Sequence, residues 1–152
     1  MPSRAILFVA LGLAAIAIAI AGYSHFISPN CCAPPPLKVT IGGEFELASS
    51  KGGTVKSADL RGKPYAMFFG FTHCPDVCPT ALFEISEVLR AMGKDADKVN
   101  AFFVSVDPER DTQAAMKDYL SSFDPHLKGL TGDPESVAKV VSAYRVYARK
   151  VP

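Results

Sequence analysis

The fold of this chain is decided by the stretch FGFTHCPDVCPT, residues 69–80. Residues 65–71, which lead into it, are almost wholly apolar and follow a glycine and a proline, as is typical of a short buried strand. Residues 80–92, which continue from it, repeat apolar side chains at helical spacing. The apolar face of that segment consists of Leu82, Ile85, Leu89 and Met92. The stretch is therefore predicted to join a central strand to an amphipathic helix.

Two cysteines of this stretch, Cys74 and Cys78, have three residues between them. Because Pro79 lacks a backbone N–H and fits best as the first helical residue, Cys78 is predicted to be the N-cap and Cys74 to lie in the preceding loop. Both sulfur atoms would then lie near the positive end of the helix, where the field lowers the pKa of a thiol. Asp76 lies between them, and its negative charge opposes that effect.

Several kinds of chemistry are open to this pair of thiols. Two thiolates form half of a site for a soft metal such as Cu(I), and they also suit Zn. The same pair could close a redox-active disulfide bond, an inert structural disulfide bond, or remain as two buried thiols. The spacing is not the C-x-x-C of thioredoxin-like oxidoreductases. A position at a strand-to-helix turn favours a functional role over a structural one.

A stable copper site needs a third ligand, for which histidine is the natural choice. His73 adjoins Cys74, but neighbouring side chains in an extended segment point apart, so His73 is expected to pack nearby or to tune the thiol. His126 is expected in a loop, and His25 lies at the edge of the N-terminal apolar segment. None of the three is favoured as a ligand.

The remainder of residues 37–152 alternates strand and helix patterns, which predicts an α/β fold with a largely parallel sheet. The predicted elements are a hairpin over residues 38–55 with its turn at 50–53, a strand over 99–106, a helix over 112–123, a strand over 127–131, a helix from 134 to 144 with Asp133 as its cap, and a strand that starts at 146. The segment from Asp107 to Thr112 is predicted to be a turn that ends in a cap, either Asp111 or Thr112. Its helix is expected to turn Ala115, Tyr119 and Leu120 to the core.

The N-terminal residues differ in character from the rest of the chain. Residues 5–22 are an unbroken apolar or glycine run, long enough as a helix to cross a bilayer, and Arg4 is the only charge before Lys38. Residues 1–27 are therefore predicted to be a transmembrane anchor with its N-terminus in the cytoplasm. The alternative is a signal peptide cleaved after residues 19–21, Ala-Ile-Ala. Either kind of segment would export the rest of the chain.

Residues 28–36 are proline-rich and are predicted to form a short stiff stalk. Adjacent cysteines within it, Cys31 and Cys32, are interpreted as exposed thiols or as partners of an interchain disulfide bond, and more weakly as an auxiliary metal site.

Composition excludes several classes of protein. The chain is 49% hydrophobic and 20% charged, which is too apolar for a disordered chain, and its net charge of +1 gives no electrostatic basis for binding nucleic acid. Four cysteines in 152 residues are too few for a disulfide-dense scaffold. The excess hydrophobicity belongs to residues 1–36, so the chain combines one membrane segment with one ordinary domain.

Four motifs together resemble the Sco/SenC family of membrane-anchored copper chaperones. They are FGFTHCPDVCPT at residues 69–80, SVDPERDT at 105–112, LRGKP at 60–64 and GLTG at 129–132. The resemblance extends from about residue 41 to the last residue. It implies a thioredoxin-like fold for residues 37–152, incomplete at its C-terminus. It also implies a single-pass protein of the cell inner membrane whose domain faces the periplasm, or the intermembrane space in mitochondria.

The resemblance further implies that Cys74 and Cys78 bind a copper ion together with one distant histidine. That histidine is expected beyond Pro152, because the family's Asp-His motif does not occur before the end of this sequence. The implied function is assembly of the binuclear copper site of cytochrome c oxidase, with its copper-bearing subunit or another copper chaperone as partner. The alternatives are an exported thiol–disulfide oxidoreductase that uses the same two cysteines, and a redox or copper sensor.

Overall fold

The computed structural model describes residues 4–26 and 40–149. Contacts between residues divide the chain into two units, Met1–Val39 and Thr40–Pro152, each of which is described by itself. The predicted stalk, including Cys31 and Cys32, lies outside the described residues. The boundaries predicted at residues 27 and 36 therefore stay predictions.

The first unit contains one helix, α1, over Arg4–Phe26. Apolar side chains along it, among them Leu11, Ile16 and Ile18, are exposed. No helix within residues 4–26 and 40–149 is both long and apolar enough to cross a membrane. The transmembrane anchor predicted for residues 1–27 is thus not supported here.

The second unit is a five-stranded sheet in the order β2-β1-β5-β4-β3, with helices on both faces. Its elements are β1 Glu46–Ser49, β2 Thr54–Lys56, β3 Tyr65–Gly70, α2 Val77–Met92, β4 Asn100–Ser105, α3 Gln113–Leu120, β5 Leu127–Thr131 and α4 Pro134–Ala143. Strands β3, β4 and β5 are parallel, whereas β1 runs antiparallel to both β2 and β5. The predicted α/β class and the hairpin are confirmed, whereas the sheet is mixed rather than largely parallel, since two of its four strand pairings within residues 40–149 are antiparallel.

The strand β4 divides the core, because alternate side chains of a strand point to opposite faces. Phe102 and Val104 belong to a cluster with Val137 and Val140 of α4. Ala101 and Phe103 belong to the opposite cluster, which includes buried side chains of α2 and α3. Burial of a large apolar side chain contributes about 1.5–3 kcal/mol to stability, so β4 stabilises the packing on both faces of the sheet.

Helix starts follow the chemistry of their caps. The side chain of Thr112 accepts a hydrogen bond from the N–H of Ala115 and begins α3, as one of the two predicted caps. The side chain of Asp133 accepts from the N–H of Ser136 and begins α4, in which Pro134 is the first residue, again as predicted.

Four local predictions are wrong in whole or in part. The strand over residues 65–71, predicted to be buried and central, is β3, which lies at one side of the sheet and pairs only with β4 among the described strands, so that Gly70 is its one buried residue. Helix α2 begins at Val77 with Asp76 at its cap position, so Cys78 lies inside the first turn and is not the N-cap. Residues 146–149 form no strand, since no neighbouring strand pairs with them within residues 40–149. In α3 Leu120 is buried as predicted, but the fully buried side chain is Met116, while Ala115 and Tyr119 are half-buried.

His126 is held between two carboxylates in the loop before β5. Its Nδ1 lies 2.7 Å from Oδ1 of the buried Asp124, and its backbone N–H donates to the same oxygen at 2.9 Å. Its Nε2 lies 3.2 Å from Oδ1 of Asp97. The hydrogen bond to Asp124, followed by that to Asp97, raises the pKa of His126 above its usual 6.5.

We expect the thermal stability of the protein to fall as the pH rises above 6.5. Because the folded-state pKa of His126 is raised, its stabilising contribution is complete below pH 6.5 and is lost as the pH passes through the higher value. Melting temperatures measured from pH 5.5 to pH 8.5 should show this slope in the parent chain and lose it in His126→Gln. His73→Gln, a change at the exposed histidine, should keep the slope. An unchanged slope in His126→Gln would contradict the assignment.

Candidate metal centre

The two cysteines lie where β3 is joined to α2. Residues 71–76, which connect these two elements, are here called the dithiol loop. Cys74 lies in this loop and is partly exposed, whereas Cys78 lies in the first turn of α2 and is only 6% exposed. Both are free thiols. The backbone N–H of Cys78 donates a hydrogen bond to Sγ of Cys74 at 3.4 Å. The turn thus brings both thiols to the N-terminal end of α2.

The two thiols differ in acidity. Hydrogen bonds from the backbone N–H groups of Cys78 and Asp76 lower the pKa of the Cys74 thiol. Burial raises the pKa of the Cys78 thiol, and the charges of Cys74 and Asp111 add to that effect. The lower thiol pKa that a helix N-terminus favours is therefore found at Cys74 but not at Cys78, where burial has the larger effect on the pKa.

Gly70, the last residue of β3, makes room for the buried thiol. A Cβ at this position would lie 2.8 Å from Sγ of Cys78 and 2.7 Å from the ring of Phe103. Both distances are shorter than real Cβ contacts, so any side chain would displace the sulfur or the ring. Glycine is required here by close approach rather than by a left-handed backbone.

The loop between β4 and α3 reaches under the dithiol loop. Asp111, which is fully buried, accepts hydrogen bonds from the N–H of Thr72 at 3.1 Å and from its Oγ1 at 2.6 Å. Its Oδ2 also accepts from Oγ of Ser105 at 2.6 Å. The sequence predicts Asp111 only as part of a turn or cap. The signal that could have found this role is its position, because the carboxyl ends of neighbouring parallel strands meet at one edge of a sheet.

The histidines do not complete a metal site among the residues described. His73 is exposed, and its Nδ1 lies 3.1 Å from Oγ1 of Thr72 and 3.9 Å from Oδ1 of Asp111. His126 is paired with Asp124 and Asp97, and the side chain of His25 lies outside those described. Within residues 4–26 and 40–149, no group of three or more His, Cys, Asp or Glu side chains could hold a metal ion. The fit is thus limited to two soft sulfur donors.

Comparison with known proteins identifies the family. The family model described as SCO1/SenC matches residues 34–152. The chain is a member of the SCO1/SenC family. The structure of Bradyrhizobium japonicum ScoI with copper bound is 71% identical, with a TM-score of 0.72 over 74% of this chain and 71% of that one. Arabidopsis thaliana ScoI with copper bound is 42% identical, with a TM-score of 0.68 over 74% and 70%.

Curated relatives show the same membership at lower coverage. The mitochondrial SCO2 homolog of Bos taurus is 45% identical over 107 residues, which are 69% of this chain and 40% of the bovine protein. This SCO1/SenC chain spans about a third to a half of the length of the curated relatives that it matches first. The predicted thioredoxin-like Sco fold is confirmed by the solved structures, whereas the domain bounds 37–152 stay a prediction.

We expect Gly70→Ala to destabilise the chain by about 1–3 kcal/mol, the usual cost of overpacking. The new methyl group would meet Sγ of Cys78 and the Phe103 ring. Urea denaturation should show a smaller effect of Gly70→Ala when Cys78→Ala is already present, because one of the two clashes is then absent. Equal effects in both backgrounds would mean that the sulfur does not crowd Gly70.

We expect Cys74 to be alkylated before Cys78 in the reduced chain at pH 7. Cys74 has the lower pKa and the more exposed sulfur, and the thiolate is the reactive form. Peptide mapping by mass spectrometry after short exposure to iodoacetamide measures the order. In denaturant the two rates should converge, which is the control. Faster labelling of Cys78 in the folded chain would refute the assigned asymmetry.

Proposed function

We propose that this chain is a copper metallochaperone that binds a copper ion through Cys74 and Cys78. The observation that carries the proposal is the pairing of a partly exposed, acidified thiol with a buried one at a single strand-to-helix turn. Soft thiolate donors suit Cu(I). A relative with 71% identity was solved with copper bound, which supports the same ligand here.

The different surroundings of the two thiols suggest how copper is taken up and passed on. Copper is the cargo in this scheme. Cys74, which is exposed and readily ionised, makes the first contact with the ion. Cys78 keeps its proton until copper arrives and releases it on binding, because a metal ligates the thiolate and not the thiol. The exposed side of Cys74 is then the route by which a partner's ligand displaces the ion.

The recipient is inferred from the family resemblance. We assign the chain to assembly of the binuclear copper site of cytochrome c oxidase, with its copper-bearing subunit or another copper chaperone as partner. The resemblance implies a histidine as the third ligand. Copper delivery is preferred to a thiol–disulfide oxidoreductase or a sensor because relatives at 71% and 42% identity bind copper.

Membrane attachment through α1 is part of the same proposal. The exposed apolar side chains of α1, together with Arg4 as its single charge, suit a lipid environment. The attached domain would face the periplasm, or the intermembrane space in mitochondria. Alkaline carbonate extraction of membranes should leave the chain, at its full mass, in the pellet. Release of a shortened chain would instead indicate a cleaved signal peptide.

The experiment that tests the function is a Cu(I) titration of the reduced full chain against a competing chelator. We expect one tightly held copper ion, lost in both Cys74→Ser and Cys78→Ser. The variant with Cys31 and Cys32 both changed to serine is the matched control, and it should keep the ion. Failure of the parent chain to retain copper, with turnover of a disulfide substrate, would replace the proposal with a thiol–disulfide oxidoreductase.

A further inference from the structure

Asp111 lies fully buried beneath the dithiol loop, at 0% exposure, together with its equally buried partner Ser105. The two carboxylate oxygens of Asp111 accept three hydrogen bonds, two from Thr72 and one from Ser105. Its backbone is held as well, because its N–H donates to the carbonyl of Asp107 at 3.0 Å and its carbonyl accepts from Oγ1 of Thr131 at 2.8 Å. Hydrogen bonds to Ser105 of β4 and Thr131 of β5 therefore hold Asp111 in place.

A buried carboxylate with this set of partners resists movement. Removing a buried charge from its hydrogen bonds without returning it to water is costly, so its donors stay in place. Two of the three donors belong to Thr72, which lies two positions before Cys74 in the dithiol loop. Further along the loop, the N–H of Cys74 donates a hydrogen bond to the carbonyl of Phe71 at 3.2 Å. The N–H of Cys78 then donates to Sγ of Cys74.

We propose that Asp111 is the positioning residue of the dithiol, holding Thr72 so that Cys74 is kept against the N–H of Cys78 before copper arrives. The inference rests on the proposed function and adds a residue that touches neither sulfur by hydrogen bonding. Because a loop that is already ordered loses little conformational entropy when the ion binds, the affinity of the two thiols for copper is higher. Loss of such a supporting contact typically lowers metal affinity by about 10–100-fold.

Three variants separate geometry from charge and from general stability. Asp111→Ala removes all three accepting bonds. Asp111→Asn has the same shape, and its amide can accept from Ser105 and the N–H of Thr72 while donating to the Thr72 hydroxyl, so it should rescue the position. Asp124→Ala is the matched control, since Asp124 is also a buried aspartate, 5% exposed, but its carboxylate is bonded to His126 and its backbone N–H donates to Ser86.

The first measurement is amide hydrogen exchange in the reduced chain without metal. We expect the protection of the Thr72 and Cys78 amides to fall by about tenfold or more in Asp111→Ala, since the acceptor of the Thr72 N–H is lost, and to be retained in Asp111→Asn and Asp124→Ala. Unchanged protection in Asp111→Ala would overturn the proposal. If Asp111→Ala does not fold, Thr72→Ala cuts the hydroxyl bond from the loop side and should lower protection at Cys78.

The second measurement is Cu(I) affinity by chelator competition on the same variants. We expect a fall of about 10–100-fold in Asp111→Ala, with Asp111→Asn and Asp124→Ala close to the parent chain. Lost protection with unchanged affinity would overturn the role of Asp111 in copper binding. Hydrogen exchange needs no metal, so it tests the positioning of Cys74 by Asp111 independently of copper binding. A parent chain that fails to bind copper would contradict the proposed function alone.

Discussion

Parallel pairing of β3 with β4 brings the carboxyl ends of both strands to one edge of the sheet, where Gly70 lies opposite Ser105. The dithiol loop leaves one strand at this edge, and the loop that carries Asp111 leaves the other. The Ser105–Asp111–Thr72 hydrogen bonds, which join these two loops beneath the candidate metal centre, depend on this adjacency. An antiparallel pair would have sent these loops to opposite edges.

The chemistry of the pair depends on how differently its two members are buried. At a helix N-terminus, N–H groups that point at a thiol stabilise its thiolate form and lower its pKa, as they do for Cys74. For a thiol buried in the same turn, such as Cys78, exclusion of water destabilises the thiolate more than the helix N-terminus stabilises it, so the pKa rises. One sulfur is thereby available for capture and exchange, while the other is kept protonated until a metal displaces its proton. Such a division fits the copper delivery that we propose for this chain.

Much of the fold was predictable because its signals are local. The caps at Thr112 and Asp133, the hairpin turn and the apolar face of α2 each depend on a few neighbouring residues. The start of α2 was misplaced because Pro79 is tolerated anywhere in the first turn, where its missing N–H has no intrahelical partner. The burial of Met116 in place of Ala115 depends on Gly129, whose missing side chain leaves a gap on β5 that Met116 fills.

The sequence by itself determined the family, the strand-to-helix turn and the identity of the two sulfur donors, because these depend on residue type and spacing within single segments. Only the tertiary structure decided that Asp111 lies beneath Thr72, that Gly70 makes room for Cys78, and that the two thiols differ in acidity. These properties depend on how separate segments of the chain pack against one another, or on the exclusion of water. Neither distance nor dielectric environment is encoded in a local pattern; both are set when the strands pair and the helices cover them.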